Sequence, residues 1–246
     1  MGTIYIVMRK HYTPKDYAEN VLFDGPEDSP LPERKYIILS TERSGSNFLC
    51  HNLSSLGAGI PIEYFNPPRK HEICKRWYLN DNEEAYLQKL FRQRSRNSIF
   101  GLKLMAHQLA QRLPLIHTHF PIYRTRIVLL LRADIAHQAV SLHRAIRSGQ
   151  WWRHTDEIIS QPQEHITKDD PTHIDFCFRH LLKEEIYLRK FLFNSSYKSI
   201  CMFYENFKED LESSILRILD FIDSSELFDS SKLTPFIQSS VKDENI

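Results

Sequence analysis

Arg43, Ser44, Gly45 and Ser46 lie between an apolar run, Tyr36–Leu39, and a helically spaced set, Phe48, Leu49, Leu53 and Leu56. Strand, small polar turn and helix in that order aim free backbone N–H groups and the positive helix end at an anion. Arg43 would add charge, and the hydroxyls of Ser44 and Ser46 would add donors. Gly57 stands where the helix should stop. The stretch is a phosphate cradle, or a plain strand–turn–helix connection built like one. It is not a Walker loop, which places lysine after its last glycine and Ser/Thr on magnesium. No lysine follows Gly45, and the cation, Arg43, precedes it. The usual magnesium–nucleotide machinery is missing, and no metal is expected in the chemistry.

Three further positions could work beside such a cradle. Glu63 sits in AGIPIEYFNPP, where prolines forbid a long regular element, so it belongs to a loop. Apolar neighbours such as Ile62, Tyr64 and Phe65 would raise a carboxylate's pKa and make it a better proton acceptor. Equally, Glu63 could be an exposed residue beside two anchoring aromatics. Arg132 closes the aliphatic run Ile127–Leu131, and Ser141 follows two to three helical turns after the N-cap candidate Asp134. Ligands bind at strand ends of open α/β sheets, so a guanidinium and a hydroxyl converging there could hold a second phosphate. The plainer alternatives are an Arg132–Asp134 ion pair and a solvent-facing Ser141. Lys103, inside the apolar strand candidate Ile99–Met105, needs a partner or a path to solvent.

The elements that must position these residues follow from pattern. Strands are expected at Tyr36–Leu39, Ile99–Met105, Ile127–Leu131 and Ser199–Tyr204. Helices are expected after the cradle, over 70–98, at His107–Leu113, after Asp134, at Asp175–Phe193 and at about Lys208–Ile222. Arg92, Arg94 and Arg96 read as a solvated helix end, with anion holding as the sharper alternative. Trp151 and Trp152 are core anchors or pocket walls, and residues 157–174 form a polar flap. Residues 1–35 read as an N-terminal extension, with an edge strand at Thr3–Met8 and a proline-rich acidic loop; residues 36–246 form the main domain.

Composition bounds the function. The 246 residues carry a formal net charge of +1 and 41% hydrophobic residues, an ordinary globular balance that argues against a nucleic-acid partner. Apolar runs fall short of a membrane span, and no signal-peptide core is visible, so a cytoplasmic location is the expectation. Four scattered cysteines without a CxxC pair read as free thiols.

The segments TERSGSNFL, GIPIEYF, FGLKLMAHQ and LLRADIAHQAVSLHRA, in this order and spacing, resemble the bacterial trehalose-sulfotransferase type of enzyme. FYENF followed by LRILDFI fits the later part. That resemblance implies a three-layer α/β/α fold with a mostly parallel central sheet, P-loop-like. It implies 3′-phosphoadenosine 5′-phosphosulfate (PAPS) as donor and a small-molecule hydroxyl acceptor, sugar-like, and it leaves a homodimer open. Carried over by position, Arg43, Ser44, Gly45, Ser46 and Asn47 would contact the 5′-phosphosulfate, Arg132 and Ser141 the 3′-phosphate. Glu63 would be the general base, with Arg43 supporting the transferring group. Asn47 departs from the Ser or Thr usual in such loops. An ATP-dependent phosphotransferase and a non-catalytic nucleotide-binding module are the competing readings.

Overall fold

The computed structural model describes residues 14–80, 82–149, 151 and 169–224. The Thr3–Met8 strand, Trp152, most of the 157–174 flap and the tail after 224 lie outside them. Strands β1 (Arg34–Ser40), β2 (Ile99–Met105), β3 (Thr125–Leu131) and β4 (Lys198–Phe203) form one sheet in the order β2-β1-β3-β4, all parallel. These are the four apolar runs, and the unbroken β-branched and aliphatic stretches of β1, β2 and β3 suit strands covered on both faces; β4, expected to be buried, instead leaves Lys198, Ser199 and Cys201 exposed at the end of the strand order. Period-two alternation divides them between two cores. Ile37, Leu39, Leu102, Leu104, Ile127 and Leu129 point to one. Tyr36, Ile38, Val128, Leu130 and Met202 point to the other.

Helices cover each face, which makes the three-layer α/β/α sandwich. On the second face lie α2 (Ser46–Ser55), α9 (Tyr204–Glu209) and α10 (Leu211–Phe221), burying Leu49, Leu53, Phe207, Ile215 and Leu219. The first face takes α3 (Pro67–Arg76), α4 (Glu83–Gln93), α5 (Ala106–Gln111), α6 (Leu113–His119) and part of α8 (Pro171–Asn194). Helix α7 (Ile135–Ser148) pairs with α8 through Ala139, Leu142, Cys177 and Leu181. Among the described residues no helix is long and apolar enough to cross a membrane. All four cysteines are free.

Two helical expectations change, and one helix was not expected. The 70–98 stretch is two helices, interrupted where Tyr78 takes a left-handed φ of 53° and Asn82 caps α4 through the N–H groups of Glu84 and Ala85. The Lys208–Ile222 helix starts earlier and breaks at Asp210, which caps α10 by accepting from Ser213 N. A helix over Leu113–His119, with proline in its first turn, was not legible because its apolar face is short.

Residues 14–24 are packed onto the body. Helix α1 (Pro14–Glu19) buries Tyr17 and Ala18, and Phe23 follows them into the first core. Burial of each large ring contributes about 2 kcal/mol by area. Asp24 then fixes the register: it pairs with Arg94 at 2.7 Å and Arg76 at 2.9 Å and accepts from Trp77 Nε1 at 3.0 Å. The Arg94 side chain is fully buried and also donates to Tyr17 O, so this cation is neither a solvated helix end nor an anion site. Arg96 likewise donates to Phe23 O. Removing one partner of a buried pair strands the other charge. Arg94→Met should therefore lower unfolding free energy by about 3 kcal/mol in urea titrations. A loss below about 1 kcal/mol would show that the pair is dispensable.

Candidate active site

Strand order 2-1-3-4 reverses direction at the β1/β3 boundary, and the crevice beyond the carboxyl ends there is the expected ligand position. The cradle leaves β1 and Arg132 leaves β3 at that point. In the cradle turn Arg43 has φ 60° and Gly45 φ 78°, and Gly45 is the N-cap of α2 without a side-chain capping bond. The first turn of a helix has N–H groups with no partner inside the helix, and here no capping side chain competes for them. A Cβ at position 45 would overlap the Tyr204 ring, so only glycine fits. Ser44 and Ser46 are buried, and the Ser44 hydroxyl has no hydrogen-bond partner among the described residues. An orphaned donor inside a turn of positive character fits an anionic oxygen.

The second set meets the first. Arg43 Nε donates to Ser141 Oγ at 3.0 Å, and its NH1 donates to Trp151 O at 2.8 Å. Arg132 NH1 donates to Arg43 O at 3.3 Å. The Arg132 guanidinium stands 5.2 Å from the Tyr204 ring centroid, and its Nε is 3.5 Å from Glu205 Oε1. Asp134 is not its partner: that carboxylate caps α7 by accepting from His137 N at 2.8 Å. Ser141 faces Arg43, not solvent. Arg43, Ser44, Gly45, Ser46, Arg132 and Ser141 are thus gathered at one strand-end crevice.

Glu63 approaches the cradle from the other side. An isolated parallel bridge joins Ile62 to Leu102, with Lys103 N donating to Ile62 O at 3.1 Å. Tyr64 and Phe65 are buried anchors; Tyr64 Oη donates to Ile60 O at 2.6 Å. Alternation sends Glu63 the opposite way, where its surroundings are cationic. Lys103 Nζ lies 2.9 Å and Arg69 NH1 3.3 Å from Glu63 Oε1, and Gln108 Nε2 donates to Oε2 at 3.4 Å. Burial raises the Glu63 pKa, but Lys103 and Arg69 outweigh it and bring the group down to about 2. The expected upward shift from apolar neighbours in the chain is therefore reversed by neighbours in space. Lys103 Nζ also donates to Asn47 Oδ1 at 2.6 Å. At Asn47, then, an amide oxygen receives the buried ammonium. Arg69 lies outside every segment read from the sequence, and Gln108 closes FGLKLMAHQ without a role having been read for it.

Another titratable group flanks the turn. Glu42 and Glu184 adjoin, with His107 and His180 beside them. Burial and the Glu184 carboxyl push Glu42 up to about 7. A hydrogen bond to Glu184 raises His107. At the opposite ends of the strands, Glu33, Lys35, Tyr123, Arg126 and Asp223 line a groove of about 400 Å³, away from all these groups.

Because the folded-state pKa of Glu63 lies below its ordinary value of 4.5, its ionisation stabilises the fold fully above that value. The contribution fades as pH falls through 4.5 toward about 2. Wild type should exceed Glu63→Gln in stability by on the order of 3 kcal/mol at pH 7, with the gap closing in acid. A pH-independent gap in denaturant melts would mean that the Lys103 and Arg69 pairing does not hold Glu63 ionised.

A model of the family described as Stf0 sulphotransferase matches residues 35–238. No curated protein matches the sequence. Among solved structures, a mouse sulfotransferase, SULT7A1, complexed with PAP aligns with a TM-score of 0.52 at 13% identity, covering 95% of this chain and 74% of that one. A sulfotransferase from Alicyclobacillus acidocaldarius aligns at TM-score 0.48 and 17% identity, covering 87% of this chain and 92% of that one. The mouse protein shares the fold. With the family match running from the first strand past the last helix described, the chain belongs to the Stf0 sulphotransferase family.

Proposed function

We propose that this protein transfers a sulfuryl group from PAPS to a hydroxyl of a carbohydrate-like small molecule. The observation that carries the reading is the convergence of two cationic, hydroxyl-bearing sets, Arg43 with Ser44–Ser46 and Arg132 with Ser141, at one strand-end crevice. Two separated phosphates on one ligand call for two such sets. Membership of the Stf0 family supports sulfuryl transfer, and the mouse structure with the same fold is described as complexed with PAP.

PAPS when bound would supply the sulfuryl group, with a phosphate as its leaving group. The residues here supply position and charge, the two contributions such in-line transfers need most. Arg43 and the first N–H groups of α2 would stabilise negative charge at the 5′ side. Arg132 and Ser141 would hold the 3′-phosphate. Glu63 is the proposed general base toward the acceptor hydroxyl. Held near pKa 2 it is ionised but weakly basic. Lys103 lies between Glu63 and Asn47, so an anion in the cradle would compete for that ammonium and release basicity at Glu63. Trp151, half-exposed with its carbonyl on Arg43, would stand at the acceptor side. The missing lysine after Gly45 argues against ATP as the donor.

Adenosine 3′,5′-bisphosphate titrated calorimetrically without magnesium should bind wild type, and Arg132→Ala should lose about tenfold or more. No saturable binding to folded wild type would overturn the assignment. Glu63→Gln should keep that affinity within about threefold while turnover falls by about 10² or more. Unimpaired turnover would remove Glu63 from the base role.

A further inference from the structure

Beside the cradle turn, four side chains converge that the sulfuryl chemistry leaves without a task. Glu42 belongs to the turn itself, His107 to α5, and His180 and Glu184 to one face of α8, a turn apart. One donor atom each from Glu42, His107 and Glu184 can be chosen so that all lie within 4.8 Å of one another. His107 Nδ1 is 3.3 Å from Glu184 Oε1 and 4.0 Å from Glu42 Oε1. His180 Nε2 is 3.5 Å from Glu42 Oε2 and 3.9 Å from Glu184 Oε2. Each carboxylate thus turns one oxygen to each imidazole.

The His107–Glu184 separation of 3.3 Å matches an edge of a coordination tetrahedron, and Glu42 Oε1, at 4.0 Å from His107, lies a little outside one. Bonds of about 2.0–2.2 Å from a central zinc to nitrogen and oxygen give edges of about 3.3–3.6 Å. A second observation points to a ligand. The Glu184 side chain is only 9% exposed, yet its Oε2 has no hydrogen-bond partner among the described residues. Glu42 Oε2 is buried in the same condition. The two carboxyls also lie within hydrogen-bonding reach of each other, so they must share a proton unless a cation takes its place.

We propose that Glu42, His107 and Glu184 bind a divalent transition cation of the zinc type, with His180 beside them. Imidazole nitrogens select such ions over magnesium or calcium, which prefer all-oxygen shells. The two carboxylates balance a 2+ charge, and the neutral imidazole of His107 adds a nitrogen donor. The ion would cross-link the cradle turn to α5 and α8, fixing the backbone immediately before Arg43. Its role is structural, so the sulfuryl chemistry needs no metal step.

The test uses the full chain, stripped by chelator and titrated calorimetrically with zinc at neutral pH. Cobalt(II) absorption serves as a second readout of tetrahedral coordination. One equivalent should bind with micromolar affinity or tighter, and a visible cobalt band should appear. Glu184→Gln and His107→Ala should each weaken binding by about tenfold or more, while His117→Ala, at an exposed position of α6, should not. Circular dichroism checks that each variant is folded. Absence of saturable zinc binding, or undiminished binding by either ligand variant, overturns the site; in the first case protons alone balance the carboxylates. Binding of adenosine 3′,5′-bisphosphate, measured separately, reports on the transferase reading, so the two can fail independently.

Discussion

A buried ammonium must be paired, and the side chain of Lys103 is fully buried. Isolated in the interior it would cost several kcal/mol, or lose its proton. Its partners come from two separate parts of the chain: Glu63 from the loop beside β2, and Asn47 from the first turn of α2. One charge therefore ties the loop that bears the carboxylate to the helix that ends the cradle. The same contact sets the chemistry of Glu63, whose ionised form is favoured by Lys103 and Arg69 more strongly than burial opposes it. The packing of this loop and the charge of Glu63 are thus coupled through Lys103, with Arg69 as a second partner.

The cradle turn is held on several sides as well. Arg43 occupies a left-handed backbone conformation, which for a non-glycine residue costs on the order of 1 kcal/mol. Gln138 Nε2 from α7 donates to Thr41 Oγ1 at 2.8 Å and to Glu42 O, and Arg132 donates to Arg43 O. Bonds from the β3 side thus offset strain in a turn that leaves β1. Successive residues of the turn then take different partners, Arg43 the hydroxyl of Ser141 on α7 and Glu42 the imidazole of His180 on α8.

What was legible in the sequence is local. The four strands, the N-cap at Asp134 and the strand–turn–helix around Gly45 are written in neighbouring residues, and the structure has them. Partner choice was not. Arg132 takes Glu205, which arrives with β4, and Arg94 takes Asp24, from a stretch that reads as an appendage. Glu63 was read against Ile62, Tyr64 and Phe65, its neighbours in the chain. The residues that govern its charge arrive from α3 and β2. Helix breaks at Tyr78 and Asp210 also escaped pattern, because the apolar spacing continues across both.

The contact between Gly45 and the Tyr204 ring joins the cradle to the first residue of α9. It makes two distant positions one unit of sequence change. A larger residue at 45 is admissible only after the ring at 204 has been exchanged for something small, and that exchange also removes the aromatic face beneath Arg132. Evolutionary drift at either position is consequently channelled through the other. Widening this turn would therefore disturb the packing of Arg132 at the same time.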